Sequence, residues 1–206
     1  MEIYQLNPVT PHARYISKAV DILKEGGLIV YPTDVNYGVG CLLSSAIGVR
    51  KLNELTKDLG RNKLHTIICR DFSEISKYAR VGNDVFRLIK KVMPAPYTMI
   101  LEATTLVPKA CHTRRSTVGV RMVGRPVINA LFEQLDSPLL NFTALPTNNE
   151  RIMENLQEIE TIYSNSVAAI LSIGSIMTRH TTIIDLTGAA PVVVRQGEGD
   201  TNTILI

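Results

Sequence analysis

Apolar residues recur every three to four positions in several stretches of the chain, and short continuous apolar runs lie between these stretches. The first spacing is typical of amphipathic helices and the second of buried strands. The first predicted helix begins at Thr10-Pro11, where threonine caps the helix and proline fills its first turn, and it ends at Gly26. Its inward positions are Ile16, Ala19, Val20 and Leu23.

Helices and strands are predicted to alternate along the rest of the chain. Further helices are predicted from a cap at Ser44 or Ser45 to about residue 57, from Asp71 over a short stretch, at 85–92, at 126–135 and over the acidic stretch 150–159. Strands are predicted at 28–31, 66–69, 97–103, 117–123, 138–142, 167–171, 182–186 and 192–195. We find no internal repeat and no linker. The order therefore predicts an α/β fold in one domain, residues 1–206, with a twisted mixed sheet and flanking helices.

Residues 26–40, which read GGLIVYPTDVNYGVG, stand out within this pattern. A buried strand feeds a turn at Pro32-Thr33-Asp34, and Gly38 and Gly40 then permit a close approach without side chains. A strand followed by hydroxyl, carboxylate, amide and glycine residues is typical of a ligand site at the edge of an α/β sheet. A plain turn between a strand and a helix explains the same residues equally well.

Composition narrows the class of protein. With 206 residues, 45% of them hydrophobic, the chain is long enough to bury a core. No apolar stretch reaches the length of a membrane span, and the first residues lack the apolar segment of a signal peptide. The three cysteines, Cys41, Cys69 and Cys111, are far apart and show neither a disulfide framework nor zinc-ligand spacing, so we expect buried fillers in a cytoplasmic protein.

The positive charges are concentrated in one part of the chain, although the net charge is only +3. Residues 103–132 contain no acidic residue, and this interval holds Lys109, His112, Arg114, Arg115, Arg121 and Arg125. Such a stretch indicates either an anion-binding surface or a solvated loop. Arg121 differs from the others because it lies in the apolar strand pattern VGVRM, where burial requires an anionic partner, either an internal carboxylate or a ligand.

Five motifs occur in order along the chain, namely GGLIVYPTDVNYGVG, PAPYT at 94–98, STVGVRM at 116–122, TTIIDL at 181–186 and VVVRQGEG at 192–199. Together they resemble the YrdC/YciO family, the threonylcarbamoyl-AMP synthase superfamily. The length, the CRD at 69–71 and the full run of motifs are most similar to the YciO branch. The resemblance implies a YrdC-like fold around a large, positively charged cavity.

The resemblance also implies a reaction. The family joins L-threonine, bicarbonate or CO2, and ATP into threonylcarbamoyl-AMP and pyrophosphate, for the threonylcarbamoyl modification of a tRNA adenosine. The carbamate and the ATP phosphates are both anions, so cationic side chains must hold them together, and Mg²⁺ is expected to share that load. Double-stranded RNA or tRNA is a further partner that the resemblance implies.

The family's site residues carry over one by one. Thr33 occupies the threonine-contacting position, Tyr37 lies on the same loop, and Arg121 matches the arginine that binds the carboxylate of threonine. Lys57 matches the lysine of the family's Lys-x-Arg pair, and Arg195 matches a nucleotide-binding arginine. Each has a structural alternative, namely a turn contact for Thr33 and Tyr37, a helix-end charge for Lys57 and a strand-end charge for Arg195.

Two departures from the family pattern leave catalysis open. Leu59 stands where the Lys-x-Arg pair has arginine, and Leu145 replaces the asparagine of Ser-x-Asn, of which Thr143 keeps only the hydroxyl. Arg61 and Lys63 lie close in sequence and are candidates to replace the missing nucleotide contact. The alternative is a catalytically impaired module that binds nucleotide or double-stranded RNA.

Motifs of other enzyme classes are missing from the sequence. It contains neither a GxxxxGK[ST] phosphate loop nor a GxSxG nucleophile elbow. The four histidines, at 12, 65, 112 and 180, are scattered without metal-ligand spacing. We therefore predict no protein-held metal site.

Overall fold

The computed structural model describes residues 1–59, 65–111, 116–144, 156–176 and 179–204. Within them the helices are α1 (Ala13–Lys24), α2 (Ala46–Asp58), α3 (Phe72–Tyr78), α4 (Asn83–Val92), α5 (Pro126–Phe132) and α6 (Leu156–Tyr163). The strands are β1 (Glu2–Gln5), β2 (Ile29–Pro32), β3 (Tyr37–Leu42), β4 (Thr66–Ile68), β5 (Tyr97–Glu102), β6 (Thr117–Arg121), β7 (Leu139–Thr143), β8 (Ala169–Ser172), β9 (Thr182–Asp185) and β10 (Val192–Arg195).

All ten strands join one mixed sheet in the order β1-β8-β2-β3-β7-β4-β6-β5-β9-β10. The pairs β1/β8, β2/β8, β4/β6 and β5/β9 are parallel, and the pairs β2/β3, β3/β7, β4/β7, β5/β6 and β9/β10 are antiparallel. The predicted twisted α/β sheet with flanking helices is confirmed.

The inner strands of the sheet are buried on both faces. Ile67 and Ile170 face the larger of two cores, which also contains side chains of α2 and α6. The next residues along the chain, Ile68 and Leu171, face a smaller core beneath α1 and α5. Successive side chains of a strand point to opposite faces, so continuous apolar runs are the expected signature of such strands. The cysteines fill the larger core as predicted, and burial raises the pKa of Cys41 to about 12.

Side-chain caps mark the first residues of α2 and α3. The Ser45 hydroxyl accepts the Gly48 amide at 3.1 Å, and the Asp71 carboxylate accepts the Glu74 amide at 2.8 Å, which confirms both predicted caps. The predicted start of α1 at Thr10 is wrong. There the Asn7 side chain accepts the amides of Val9 and Thr10 at 2.9 and 3.0 Å, and this turn keeps the residues outside the helix.

The structure adds two strands that the sequence pattern did not predict, β1 and β3. Strand β3 forms a hairpin with β2, from Pro32 opposite Tyr37 to Ile29 opposite Gly40. The ligand motif at 26–40 is therefore a hairpin with a tight turn at 33–36. The predicted close approach at Gly40 is made by the protein itself, because a Cβ there would lie 2.5 Å from the Tyr31 hydroxyl and 2.7 Å from the Leu140 carbonyl oxygen.

Substituting Gly40 with alanine is expected to lower the free energy of unfolding by about 1–3 kcal/mol, because the added methyl meets backbone that cannot yield. Gly188→Ala is the matched control, since Gly188 lies outside any helix and its Cβ would make only an ordinary contact, 3.8 Å from the Ala190 carbonyl oxygen. Urea denaturation of both variants measures the difference. Equal stability of the two variants would contradict the packing at Gly40.

Candidate active site

The turn between β2 and β3 is fixed by Thr33. This residue is fully buried, and its hydroxyl donates to the Asn36 carbonyl oxygen at 2.7 Å and accepts the Asn36 amide at 3.2 Å. The Thr33 amide also donates to the Asn36 carbonyl oxygen at 2.7 Å. Thr33 thus has the turn contacts of its structural alternative, and its contact with a substrate stays a prediction.

Arg121 ends β6 and is buried, with 3% of its side chain exposed. Because Val118 and Val120 face the larger core, alternation turns Arg121 toward the opposite face of the sheet. Its Nη2 donates to Oδ1 of Asp34 in a short, charged hydrogen bond. The predicted need for an anionic partner is confirmed, and among the described residues that partner is an internal carboxylate next to Thr33.

The ion pair between Arg121 and Asp34 joins one nitrogen of the guanidinium to one oxygen of the carboxylate. Nε of Arg121 and Oδ2 of Asp34 are both buried, and neither has a hydrogen-bond partner in the described part of the chain. A guanidinium and a carboxylate can form two parallel hydrogen bonds, which satisfy both groups. The site therefore holds one unused buried donor and one unused buried acceptor.

The segment 179–181 links this turn to Arg195. Its first residue, Arg179, donates its amide to the Val35 carbonyl oxygen at 2.9 Å and accepts from the Asn36 side chain at 3.2 Å. The guanidinium of Arg195 donates from Nε and Nη2 to the Thr181 carbonyl oxygen at 3.2 and 3.0 Å. Arg195 is thus brought to the same part of the molecule, where it also serves a structural contact.

Tyr37 and Thr143 lie on neighbouring strands. Thr143 of β7 lies opposite Gly38 of β3, one residue after Tyr37. The Tyr37 hydroxyl donates to the Gly174 carbonyl oxygen at 2.7 Å and accepts the Ile173 amide at 3.0 Å. Burial raises the pKa of Tyr37, and the nearby charge of Arg125 acts against that rise.

The lysine and leucine at the end of α2 are placed differently. Lys57 is exposed on the last turn of the helix. Leu59 caps the helix and packs into the larger core with 7% exposure. Arg61, Lys63 and Leu145 lie outside the described residues, as do His112, Arg114 and Arg115.

Asp34 and Arg125 hold buried polar atoms that the sequence does not predict. The sequence places Asp34 only in a turn, since its contact with Arg121 depends on a hairpin that the pattern does not predict. The signal for Arg125 was its place in the acid-free interval. Its Nε is buried without a hydrogen-bond partner within the described ranges, and its charge acts on Tyr37.

Two further observations concern membranes and metals. Among the described residues, no helix combines the length and apolar character needed to cross a membrane. Nor does this part of the chain gather three or more histidine, cysteine, aspartate or glutamate side chains into a group that could hold a metal ion.

The chain is similar to known proteins in both sequence and structure. A model of the Sua5/YciO/YrdC family, described as telomere recombination, matches residues 21–197. An uncharacterized YciO protein of Escherichia coli (strain K12) is 36% identical over 205 residues, which cover 99% of either chain. The crystal structure of E. coli YciO superposes over the whole of both chains with a TM-score of 0.91 and 35% identity.

More distant relatives include proteins that are named as a synthase or as bound to threonine. A threonylcarbamoyl-AMP synthase of Vibrio vulnificus (strain YJ016) is 23% identical over 168 residues, which cover 80% of this chain and 89% of that protein. A crystal structure of P. abyssi Sua5 complexed with L-threonine has the same fold, with a TM-score of 0.85 and 23% identity. The match covers 96% of this chain and 58% of the Sua5 chain.

Proposed function

Because the chain belongs to the Sua5/YciO/YrdC family, we propose that it binds L-threonine and ATP and forms threonylcarbamoyl-AMP. In this reaction, threonine and bicarbonate or CO2 give a carbamate that attacks ATP and releases pyrophosphate. The names of the V. vulnificus relative and of the threonine-bound P. abyssi structure support the proposal. The observation that carries it is the buried guanidinium of Arg121 beside the 33–36 turn.

Arg121 would bind the carboxylate of threonine. A guanidinium is permanently charged and presents a fork of donors, which suits a carboxylate better than a flexible ammonium does. Thr33 precedes Asp34 in the turn of the hairpin, so it would shape the same subsite. Tyr37 follows on the same hairpin and packs into the larger core, so it would support the subsite from the other face of the sheet. This would fix the amine of threonine for carboxylation and for attack on the nucleotide.

Arg195, Lys57 and Thr143 would bind the nucleotide, together with Arg61 and Lys63. The carbamate and the triphosphate repel each other, so cations between them lower the barrier to attack. Mg²⁺ would enter with ATP as part of the substrate, because it is usually held by phosphates and only one or two carboxylates. The product would serve tRNA modification in the cytoplasm.

Threonine-dependent pyrophosphate release tests the proposal. With ATP, bicarbonate and Mg²⁺ present, we expect product from the wild type and about 10- to 100-fold less from Arg121→Lys, because the lost charged hydrogen bond is worth about 1.5–3 kcal/mol. Arg87→Lys is the matched control, since that arginine is 79% exposed. Release that does not depend on threonine would reject the synthase activity, and equal threonine-dependent rates in both variants would reject the role of Arg121.

Leu59 favours a second candidate function. It packs into the core at a position where the resemblance leads one to expect a phosphate-binding arginine. A protein that keeps the ligand site but lacks this cation would bind nucleotide or double-stranded RNA without efficient turnover. Stabilisation against heat by ATP without pyrophosphate release would identify such a module.

RNA binding by this module would depend on salt. Contacts between Lys or Arg and phosphates release counterions, so each contact steepens the fall of affinity with ionic strength. We expect affinity for a short RNA duplex to fall by at least about tenfold between 50 and 200 mM salt, measured by fluorescence anisotropy. Binding that does not change over this range would exclude a phosphate-binding surface.

A further inference from the structure

Asp34 and Arg121 form a pair whose unused atoms are complementary to each other in charge. Arg121 keeps Nε as a free donor, and Asp34 keeps Oδ2 as a free acceptor, within the described part of the chain. The turn contacts of Thr33 and Asn36 leave both of these atoms unused. The contacts within the turn therefore do not satisfy Nε of Arg121 or Oδ2 of Asp34.

Such a pair matches one kind of ligand group. A carboxylate next to an amine offers acceptors to the guanidinium and N–H donors to the carboxylate of Asp34. A plain carboxylic acid satisfies only the first contact and leaves Asp34 facing another carboxylate, and like charges at short range repel. Charge complementarity therefore favours an α-amino acid over an anion of the same shape.

Access to the pair requires that it opens. Both unused atoms are buried, but 17% of the Asp34 side chain is exposed against 3% for Arg121. The Asp34 backbone is held between Thr33 and Asn36, whose backbones hydrogen-bond to each other at 2.7 Å. Opening the pair would therefore require the Asp34 side chain to rotate away from Nη2 while the turn stays in place.

We propose that Asp34 is a specificity-determining residue that binds the amino group of the substrate while Arg121 binds its carboxylate. This inference rests on the proposed function, for which it assigns the group that recognises the amine. In the free protein the Asp34 carboxylate accepts the hydrogen bond from the guanidinium of Arg121. The carboxylate of the incoming substrate displaces the Asp34 carboxylate from this guanidinium, and Asp34 then accepts an N–H of the substrate. The exchange keeps both buried charges paired throughout, which low dielectric surroundings demand.

The test compares two ligands that differ only in the amine, L-threonine and (R)-3-hydroxybutanoate. Calorimetry on the wild type is expected to show at least about tenfold tighter binding of L-threonine, in line with one charge-assisted hydrogen bond. Asp34→Asn keeps an oxygen for Arg121 but loses the charge. It is expected to weaken threonine binding about 10- to 100-fold while strengthening hydroxybutanoate binding.

The two affinities must move in opposite directions, which a merely structural role of Asp34 would not produce. Asp84→Asn, at an exposed carboxylate in a surface ion pair, is the matched control and is expected to change neither affinity. Equal affinities of the wild type for the two ligands, a result that needs no variant, would overturn the inference, as would a parallel loss of both affinities in Asp34→Asn. In these cases threonine binding, and with it the proposed function, would stand. Absence of any threonine binding by the wild type would overturn both.

Discussion

Replacing Arg121 with methionine is expected to lower the free energy of unfolding by about 3 kcal/mol. The substitution leaves the Asp34 carboxylate in a buried position without its partner, and breaking a buried pair in this way costs about 3–5 kcal/mol. The lower end applies because 17% of the Asp34 side chain is exposed. Urea denaturation, followed by circular dichroism, measures the change.

The double variant Arg121→Met/Asp34→Leu separates the pair's stability from its function. Replacing both charges with apolar groups is often neutral or stabilising, so we expect the double variant to regain most of the lost stability. It should nevertheless fail to bind L-threonine. A double variant that is as unstable as the two single substitutions added together would show that the two residues are not coupled.

Replacing Leu59 with arginine is expected to destabilise the protein by about 2–4 kcal/mol and to add no synthase activity. The substitution removes a buried apolar side chain from the larger core, where truncation of leucine alone costs about 2–5 kcal/mol. Some of the new guanidinium can reach water from the end of α2, which limits the loss. Denaturant unfolding and pyrophosphate release are measured on the same preparation.

Leu106→Arg is the matched control for this substitution. Leu106 is 62% exposed, so the same chemical change there should alter stability by less than about 0.5 kcal/mol. A stable Leu59→Arg variant with a raised rate of pyrophosphate release would contradict the packing seen for Leu59. It would also show that a single arginine restores the family's Lys-x-Arg pair.

Much of the fold could be predicted from the sequence because its elements follow a clear periodicity. Helix α2 has an identifiable cap at Ser45 and inward residues at helical spacing, and the structure confirms both. Strand β3 was missed because its six residues are all buried and two of them are glycine, so it shows neither alternation nor high strand propensity. Its existence depends on pairing with β2 and β7, which are distant constraints.

For the candidate site, too, some features could be predicted from the sequence and others could not. The burial of Arg121 could be predicted because an arginine within an apolar strand must find an anion. Its partner Asp34 could not, because residues 34 and 121 meet only when the β2–β3 hairpin and β6 join the same sheet. The single domain, the positively charged cavity and the roles of Arg61 and Lys63 stay predictions.

The most direct measurement follows the Nε–H resonance of Arg121 by nuclear magnetic resonance while L-threonine is added. The signal is assigned by its loss in Arg121→Lys. If the ligand carboxylate displaces Asp34 from the guanidinium, the resonance shifts saturably with L-threonine and stays in place with threoninol, which lacks the carboxylate. An unchanged Arg121 resonance at threonine concentrations that support pyrophosphate release would contradict this assignment of the site.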